Sequence, residues 1–319
     1  MDEQFARDVL KGLSTSPKYL SSKYFYDKNG DALFQEIMAL EEYYLTRCEF
    51  EIFQNEKSDL LSQFSDSGKS FDLIEFGAGD GKKTKVLLNH FLNQGIDFTY
   101  QPIDISQNAL NLLADDLRQS LPNLNLETLR GEYFSVLSQL DQQPGRTKAI
   151  LFLGSNIGNF LKPVAVEFLS QLASTLAPGD LLLLGVDLVK EPNVVASAYN
   201  DSQGVTKAFN LNLLTRINRE LGSNFDLNGF THFPFYDPSN GSARSLLISN
   251  CHQTVSIKDL NTTFHFEAWE PIYMELSQKY RIEDLKQLAE QSGFNIIKHY
   301  YDSKNYFTDG LWQVSNSDD

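Results

Sequence analysis

Two glycines and a later carboxylate have the types and spacing needed to bind a nucleoside. Gly77 and Gly79 follow the apolar run 71–74, so a strand should end in a turn whose backbone a ligand can approach closely. A second apolar run ends at Asp104. A carboxylate roughly 20 residues beyond a glycine turn suits the two hydroxyls of a ribose. These residues predict a nucleoside-binding α/β domain.

The glycine turn also has an ordinary interpretation, which is a tight strand-to-helix connection with Asp104 as a helix N-cap. Lys82 stands where the dinucleotide fingerprint has its third glycine. That difference disfavours NAD and leaves room for a single nucleoside such as S-adenosylmethionine. Walker-type phosphate binding is also disfavoured, because no Gly-Lys-Ser/Thr follows a four-residue spacer.

Polar side chains follow two later predicted strands, and ligands bind at the carboxyl ends of strands in open α/β sheets. Glu132 could accept a proton from an adenine amino group while Tyr133 stacks on the ring; the alternative is a solvated strand end. Asn159 lies in a loop of small residues. Its amide could hold an amine or a carboxylate, because it both donates and accepts. The alternative for Asn159 is a helix N-cap.

A further polar pair lies near the carboxyl end of the chain. Glu275 and Ser277 are two residues apart in a strand-like run, so their side chains leave the same face. A carboxylate and a hydroxyl on one face could bind a heterocycle that presents one N–H and one acceptor. The other interpretation is an ordinary surface strand, in which exposed polar residues alternate with buried apolar ones. Tyr26 and Tyr43, in the aromatic-rich first 50 residues, could likewise be core aromatics with solvated hydroxyls.

The elements that would position these residues alternate between strand and helix from about residue 71. Strands are predicted at 71–74, 98–103, 124–129, 149–153 and 181–186, and helices at 83–92, 106–117 and 163–176. Near-continuous apolar strands predict a parallel sheet covered on both faces. The alternation stops at about 191–270, which we interpret as an insertion. A strand at 272–279, a helix at 282–292 and strands at 294–301 and 310–314 follow.

Composition excludes several classes of function. The formal charge of −15 and the pI near 4.8 disfavour nucleic acids and anionic membranes as partners. Two cysteines without a CxxC motif predict free thiols in a reducing cytoplasm, and five scattered histidines predict no metal centre. No signal-peptide pattern and no run of about 18 apolar residues is present, so we expect a cytoplasmic protein.

Longer motifs resemble those of one known family. They occur in the same order over almost the whole chain and include Lys23–Asp27, Glu42–Arg47, Phe152–Asn159, Asp187–Lys190, Ala198–Asp201 and Asn218–Leu221. These motifs resemble the histidine-specific N-alpha-methyltransferases of ergothioneine biosynthesis. The resemblance is much more specific than the glycine turn alone.

The resemblance implies an S-adenosylmethionine-dependent enzyme that places three methyl groups on the α-amine of L-histidine, giving hercynine. It implies a Rossmann-like class I methyltransferase sheet in residues 49–190 and 280–319. A second, substrate-binding domain would be formed by the N-terminus and the insertion, in residues 1–48 and 191–279. We expect a monomer with a small-molecule substrate. The alternatives are an N-methyltransferase for another aromatic amino acid or small amine, a dinucleotide oxidoreductase, and a non-catalytic nucleoside-binding regulator.

The resemblance also implies roles for individual residues. The predicted cofactor-binding residues are Gly77, Gly79, Lys83, Asp104, Glu132 and Tyr133. The predicted substrate-binding residues are Tyr26, Phe34, Tyr43, Gly154, Asn156, Asn159, Tyr199, Glu275 and Ser277. Among these, Asn159 and Tyr43 are the predicted catalytic residues, while Glu275 and Ser277 would select the imidazole. Two residues depart from the family pattern: Asn156 stands where the family has threonine, and Ser245 where a methionine lines the ring pocket.

Overall fold

A computed structural model describes residues 3–65, 69–139 and 146–315, and the chain divides into two compact units. The first unit comprises Met1–Tyr44 with Lys190–Gln278, and the second comprises Leu45–Val189 with Lys279–Asp319. The chain therefore passes between the units three times. The first passage falls after Tyr44, whereas the sequence places it after residue 48; the other two fall one residue earlier than the sequence places them.

The bounds of the elements are as follows. The helices are α1 (Glu3–Leu13), α2 (Lys28–Ala39), α3 (Leu45–Phe64), α4 (Thr84–Asn93), α5 (Gln107–Ser120), α6 (Tyr133–Leu137), α7 (Lys162–Thr175), α8 (Pro192–Ala198), α9 (Val205–Leu221) and α10 (Ile282–Ser292). The strands are β1 (Lys18–Tyr19), β2 (Phe71–Phe76), β3 (Phe98–Asp104), β4 (Asn125–Leu126), β5 (Leu129–Arg130), β6 (Thr147–Phe152), β7 (Leu181–Asp187), β8 (Phe230–Asp237), β9 (Ser242–Ser249), β10 (Gln253–Ile257), β11 (Thr262–Phe266), β12 (Pro271–Gln278), β13 (Phe294–Tyr301) and β14 (Phe307–Val314).

The second unit is built on a mostly parallel sheet. Its strand order is β13-β14-β7-β6-β2-β3-β4, and β5 also pairs with β3. Strands β3, β2, β6 and β7 run parallel to one another, whereas β14 is antiparallel to both β7 and β13. This is the Rossmann-like class I arrangement that the sequence predicts. Because β2 lies between β3 and β6, the strand order reverses there, which is where open α/β sheets bind ligands.

Apolar burial explains why this sheet forms. All seven residues of β7 are buried, as expected for a strand covered on both faces. The core on one face combines strand residues with helices α7 and α10; its members include Ile74, Phe76, Ile150, Phe152, Leu182, Leu184, Leu169, Leu285 and Trp312. Helices α3 and α4 pack together and α3 contacts β14.

The strand predicted at 124–129 is present as two short strands and not as one continuous strand. Only two short pieces of it pair with β3, through Asn125 and Leu126 in β4 and through Leu129 and Arg130 in β5. Exposed polar residues at 125 and 127 interrupt the apolar run at the sheet edge. A continuous strand there would therefore gain little burial.

The first unit has its own core on a mostly antiparallel sheet, in which only the short β1 is parallel to its described partner. Its main sheet has the order β1-β12-β9-β8, and β10 and β11 form a hairpin. Helices α1, α2 and α9 pack their apolar residues with this sheet; the shared core includes Phe5, Phe25, Phe209, Leu213, Leu247, Val255, Ile272 and Met274. The insertion thus carries helices and antiparallel strands, which is why it lacks βα alternation. In the described part of the chain, no helix combines the length and apolar character needed to cross a membrane.

Helix α2 begins at a crowded junction inside the first unit. Asp27 caps it, because Oδ1 accepts hydrogen bonds from Gly30 N and Asn212 Nδ2, each at 2.8 Å. Arg219 donates to Oδ2 at 2.6 Å. Gly30 is buried, and a Cβ built there would lie 1.8 Å from the carbonyl oxygen of Phe25. The close approach of two backbones therefore requires glycine at this position.

We predict that Gly30→Ala destabilises the protein, although alanine normally stabilises a helix by up to about 1 kcal/mol relative to glycine. The added methyl group would force the backbone of Phe25 to move, at a cost of about 1–3 kcal/mol. Urea unfolding would measure the difference. Gln35→Ala, an exposed change in the same helix, should leave the midpoint nearly unchanged. Equal midpoints for Gly30→Ala and Gln35→Ala would contradict the prediction.

Candidate functional site

The loop after β2 offers open backbone to a ligand. Gly77 and Gly79 have positive φ angles of 69° and 56°, which glycine adopts readily. A Cβ at Gly77 would lie 3.0 Å from Tyr133 Oη, and a Cβ at Gly79 would meet no atom within 4 Å. The turn thus has the conformation and the space that the sequence predicts for a cofactor loop.

Asp104 ends β3 with a half-buried carboxyl group. Its Oδ1 accepts a hydrogen bond from Ser106 N at 2.8 Å. Burial raises the pKa of Asp104, opposed by the backbone N–H groups of Ser106 and Ile105. The interpretation of Asp104 as a helix N-cap is wrong, because Ser106 caps α5 by accepting from Ala109 N at 3.2 Å. The carboxylate therefore ends the strand without serving the helix.

Glu132 and Tyr133 lie at the start of α6. Glu132 is exposed and its side chain makes no cap hydrogen bond. The Tyr133 ring stacks on Phe76, with centroids 4.5 Å apart and planes 2° from parallel. Burial, aided by Asp104 and Glu132, raises the pKa of Tyr133 to about 12, so its hydroxyl remains a donor at neutral pH. One face of the ring thus packs on the core.

Lys83 supplies a cation just before α4. Its side chain is 21% exposed and its Nζ pairs with Glu49. Burial would lower the pKa of Lys83, but the neighbouring acids Glu49, Glu75 and Asp309 raise it above the usual value. A Cβ built at Gly154 would lie 3.8 Å from Lys83 Nζ. The ammonium therefore lies beside the loop that follows β6.

These second-unit groups fit S-adenosylmethionine. Lys83 offers an ammonium for a carboxylate, Asp104 offers a carboxylate for the ribose hydroxyls, and Gly79 leaves space beside its backbone. Within residues 3–65, 69–139 and 146–315, no cluster of three or more histidine, cysteine or acidic side chains is arranged to hold a metal ion.

The loop after β6 is tightly held. Gly154 and Ser155 have φ angles of 68° and 59°, and Asn156–Asn159 form a 3-10 turn. Gly154 N donates to Glu49 Oε1 at 2.8 Å, and Ser155 Oγ accepts from Asp187 N at 3.1 Å. Asn156 is half-buried and Asn159 is exposed.

The interpretation of Asn159 as a helix N-cap is wrong. The next helix, α7, begins at Lys162, and Leu161 occupies its N-cap position. The exposed amide of Asn159 therefore has no capping role in the structure.

In the first unit, the predicted aromatic residues gather around Phe209. The Tyr26 ring lies edge-on to Phe34 and Phe209, at centroid distances of 5.4 and 5.6 Å. Phe34 in turn meets Tyr43 edge-on at 6.3 Å. Tyr26 is 46% exposed, so it is not a core aromatic, whereas Tyr43 is half-buried against the core.

The predicted polar residues of the first unit meet on β12. Tyr199 Oη donates to Ser277 Oγ at 2.7 Å, and both residues are buried. Glu275 lies opposite Ser245 of β9, just after an irregularity in the strand pairing. Ser245 Oγ is buried without a hydrogen-bond partner among the described residues. A buried hydroxyl of this kind is available to a ligand with a matching polar group.

Three buried acids lie near Lys83 and were not among the predicted site residues: Glu49, Glu75 and Asp309. The sequence does carry a signal for Glu49. It lies in the apolar stripe of α3, four residues after Leu45 and four before Phe53, where a carboxylate is unexpected. Glu75 stands two residues before Gly77, in the fully buried second half of β2.

Comparisons with known proteins identify the family of this chain. The model of the histidine-specific, S-adenosylmethionine-dependent methyltransferase family matches residues 5–314. The chain is 35% identical over 289 residues to the histidine N-alpha-methyltransferase of Mycolicibacterium smegmatis, covering 90% of this chain and 88% of that protein. It is 33% identical to the histidine N-alpha-methyltransferase of Mycobacterium tuberculosis, covering 94% and 92%.

A longer relative is also similar. The chain is 30% identical to ergothioneine biosynthesis protein 1 of Schizosaccharomyces pombe, with 88% of this chain matching 37% of that protein.

The environment of Glu75 predicts a pH-dependent stability. Thr84 Oγ1 and Tyr100 Oη donate to its carboxyl group at 2.9 and 2.5 Å. Burial nevertheless raises its pKa to about 7. The folded protein therefore holds this proton more tightly than the unfolded chain, in which glutamate titrates near about 4.3. The stabilisation is complete below that pH and is lost as the pH rises through about 7.

We expect Glu75 to lower the free energy of unfolding by about 3 kcal/mol between pH 4.5 and 7.5. Glu75→Gln, which mimics the protonated acid, should flatten this dependence in urea titrations. Glu167→Gln, an exposed change in the same unit, should keep the wild-type slope. A wild-type slope in Glu75→Gln would contradict the assignment.

Proposed function

Because this chain belongs to the family of histidine-specific, S-adenosylmethionine-dependent methyltransferases, we propose that it methylates the α-amino group of L-histidine, giving hercynine after three transfers. The observation that carries this proposal is the polar set on β12, where Glu275 and Ser277 share a face and Tyr199 donates to Ser277. The names of the relatives support the same activity and a place in ergothioneine biosynthesis. We further propose that the enzyme acts as a cytoplasmic monomer.

The second unit would bind the cofactor. When bound, S-adenosylmethionine supplies an electrophilic methyl group on a sulfonium sulfur that leaves with the bonding electron pair. Gly77 and Gly79 would leave room for the ligand, Lys83 would neutralise its carboxylate, and Asp104 would hold the ribose. Glu132 and Tyr133 would contact the adenine from the start of α6.

The first unit would recognise the imidazole. Glu275 would accept a hydrogen bond from one ring nitrogen, and Ser277 would serve the other. Tyr199 donates to Ser277 Oγ and would thereby orient that hydroxyl for the ring. Tyr26 and Phe34 would pack along the ring. Such a site rejects side chains that lack matching polar atoms, because its buried groups are then left unpaired.

Asn159 and Tyr43 would handle the amine. The nucleophile must be neutral, and an α-amino group at a peptide terminus titrates near about 8. Asn159, helped by tyrosine hydroxyls, would accept hydrogen bonds from the amine and orient its lone pair, while Gly154 and Asn156 would shape the loop around the substrate. Alignment of the reacting atoms can lower the barrier by about 7–11 kcal/mol, so little acid–base catalysis is needed.

The direct test is mass spectrometry of the purified protein after incubation with S-adenosylmethionine and an equimolar panel of amino acids and biogenic amines. We expect histidine alone to gain up to three methyl groups on its α-nitrogen. Methylation of another amine would agree with the assigned cofactor but would contradict the assignment of Glu275 and Ser277 to an imidazole site. Cofactor binding without methylation of any panel member would contradict the proposed activity.

We predict that Glu275→Ala raises the KM for histidine about 10- to 100-fold, because a hydrogen bond to a charged group is worth about 1.5–3 kcal/mol. Phenylalanine should become a better competitor, because its apolar ring no longer faces the half-buried carboxylate of Glu275. Glu267→Ala removes an exposed carboxylate from the same unit and serves as the matched control. An unchanged histidine KM in Glu275→Ala would overturn the imidazole assignment.

We predict that Asn159→Asp lowers kcat/KM for histidine by about tenfold or more, because a negative charge beside the amine favours its protonated form, which cannot attack. Initial rates at several histidine concentrations would measure it. Asn111→Asp, an exposed change in α5, should leave kcat/KM at the wild-type value. Equal kcat/KM in the two variants would remove Asn159 from the amine site.

A further inference from the structure

Three buried acids of the second unit lie near the ammonium of Lys83. Glu49 on α3, Glu75 on β2 and Asp309 on β14 are at most 3% exposed, and Lys83 is the cation that faces them. If all three acids were ionised, two buried negative charges would remain uncompensated. Uncompensated buried charge is strongly unfavourable, and such groups take up protons instead.

Two of these acids converge on a single glycine. Gly185 of β7 pairs with Asp309 across the sheet. A Cβ built at Gly185 would lie 2.3 Å from Glu49 Oε1 and 3.1 Å from Asp309 Oδ1. The same Cβ would lie 3.2 Å from Gly154 N. Gly185 therefore leaves the space in which the two carboxyl groups and the backbone of Gly154 meet.

The two carboxyl groups differ in the number of hydrogen-bond donors that they receive. Glu49 accepts from Gly154 N through Oε1 and pairs with Lys83 through Oε2. Neither oxygen of Asp309 has a hydrogen-bond partner among the described residues, and the Glu49 carboxyl group is the acid that lies with it beside Gly185. Two carboxylates in such contact would repel each other, whereas a carboxylic acid can donate to a carboxylate.

The electrostatic surroundings favour the protonated form of Asp309. Burial and the negative charge of Glu49 raise the pKa of Asp309 well above its usual value, and Lys83 opposes them in part. Glu75 adds a third acid near the same ammonium, with its own pKa raised to about 7.

We propose that Asp309 remains protonated at neutral pH and donates its proton to Glu49, so that Glu49 can hold Lys83 and the backbone of Gly154 in place for binding. Glu49 and Asp309 are positioning residues, which act through Lys83 and Gly154. The inference rests on the proposed function, in which those two residues bind cofactor and substrate. The proton remains on Asp309 and no covalent bond changes.

The proposal predicts how cofactor binding depends on pH. When Asp309 ionises at alkaline pH, its new charge repels Glu49 and competes for Lys83. The Kd for S-adenosylmethionine, measured calorimetrically without histidine, should therefore rise at least tenfold at alkaline pH in the wild-type protein. Asp309→Asn keeps a donor toward Glu49 and cannot ionise, so its Kd should stay within about threefold across the same range. Ionisation of Glu75 would change the Kd equally in the wild-type protein and in Asp309→Asn.

The matched control is Asp180→Asn. Asp180 is also buried and its pKa is also raised by burial, but it lies just before β7, where it accepts from Lys148 N and Ala177 N. Asp180→Asn should keep the wild-type alkaline rise in Kd. An alkaline rise of wild-type size in Asp309→Asn would overturn the proposal.

Infrared spectroscopy tests the proton directly, including the case in which Asp309→Asn does not fold. Wild-type protein with carboxyl-labelled aspartate should show an isotope-shifted carboxylic acid C=O band at pH 7 that persists in labelled Asp180→Asn. Loss of that band in Asp180→Asn, or its absence from the wild type, would overturn the proposal.

Glu49→Gln should raise the Kd for S-adenosylmethionine about tenfold at neutral pH, because an amide cannot balance the charge of Lys83. An unchanged Kd in Glu49→Gln would contradict the proposal that Glu49 positions Lys83. These measurements do not use histidine, so their outcome is independent of whether histidine is the methyl acceptor.

Discussion

The carboxylate of Glu49 joins three separate parts of the second unit. It stands on α3, pairs with Lys83 beyond the glycine turn, and accepts the backbone N–H of Gly154 after β6. The loops after β2 and β6 flank the point where the strand order reverses. A fully buried acceptor therefore fixes the spacing of the two loops that open α/β sheets use for ligands.

Much of this fold could be predicted from the sequence. Near-continuous apolar runs indicated β2, β3, β6 and β7, because strands buried on both faces need apolar residues throughout. The pairing of β14 between β7 and β13 could not be predicted in the same way, since periodicity describes one strand and not its neighbours. The segment at 124–129 forms two short strands and not the one continuous strand predicted, because its apolar residues alternate with exposed polar ones.

Some residues of the candidate site could be predicted from the sequence and others could not. Glycines with positive φ and residues at strand ends leave local signatures, so Gly77, Asp104 and Asn159 could be proposed from the sequence. Glu49 and Asp309 lie 260 residues apart in the chain and come together beside Gly185 in the folded sheet. The buried contact between Tyr199 and Ser277 likewise depends on tertiary packing. Long-range pairs of this kind leave no periodic pattern, although a lone acid in an apolar stripe is a usable hint.

The order of strands has a consequence for how the protein is made on the ribosome. The central sheet stays open at β7 until Phe307–Val314 have been synthesised, because β14 pairs with β7 and then with β13. In the first unit, β1 must similarly wait for its parallel partner β12, more than 250 residues later. Loop closure over such separations is slow. The nascent chain would therefore expose the apolar edge of β7 while residues 188–306 are synthesised, and a chaperone could bind it during that interval.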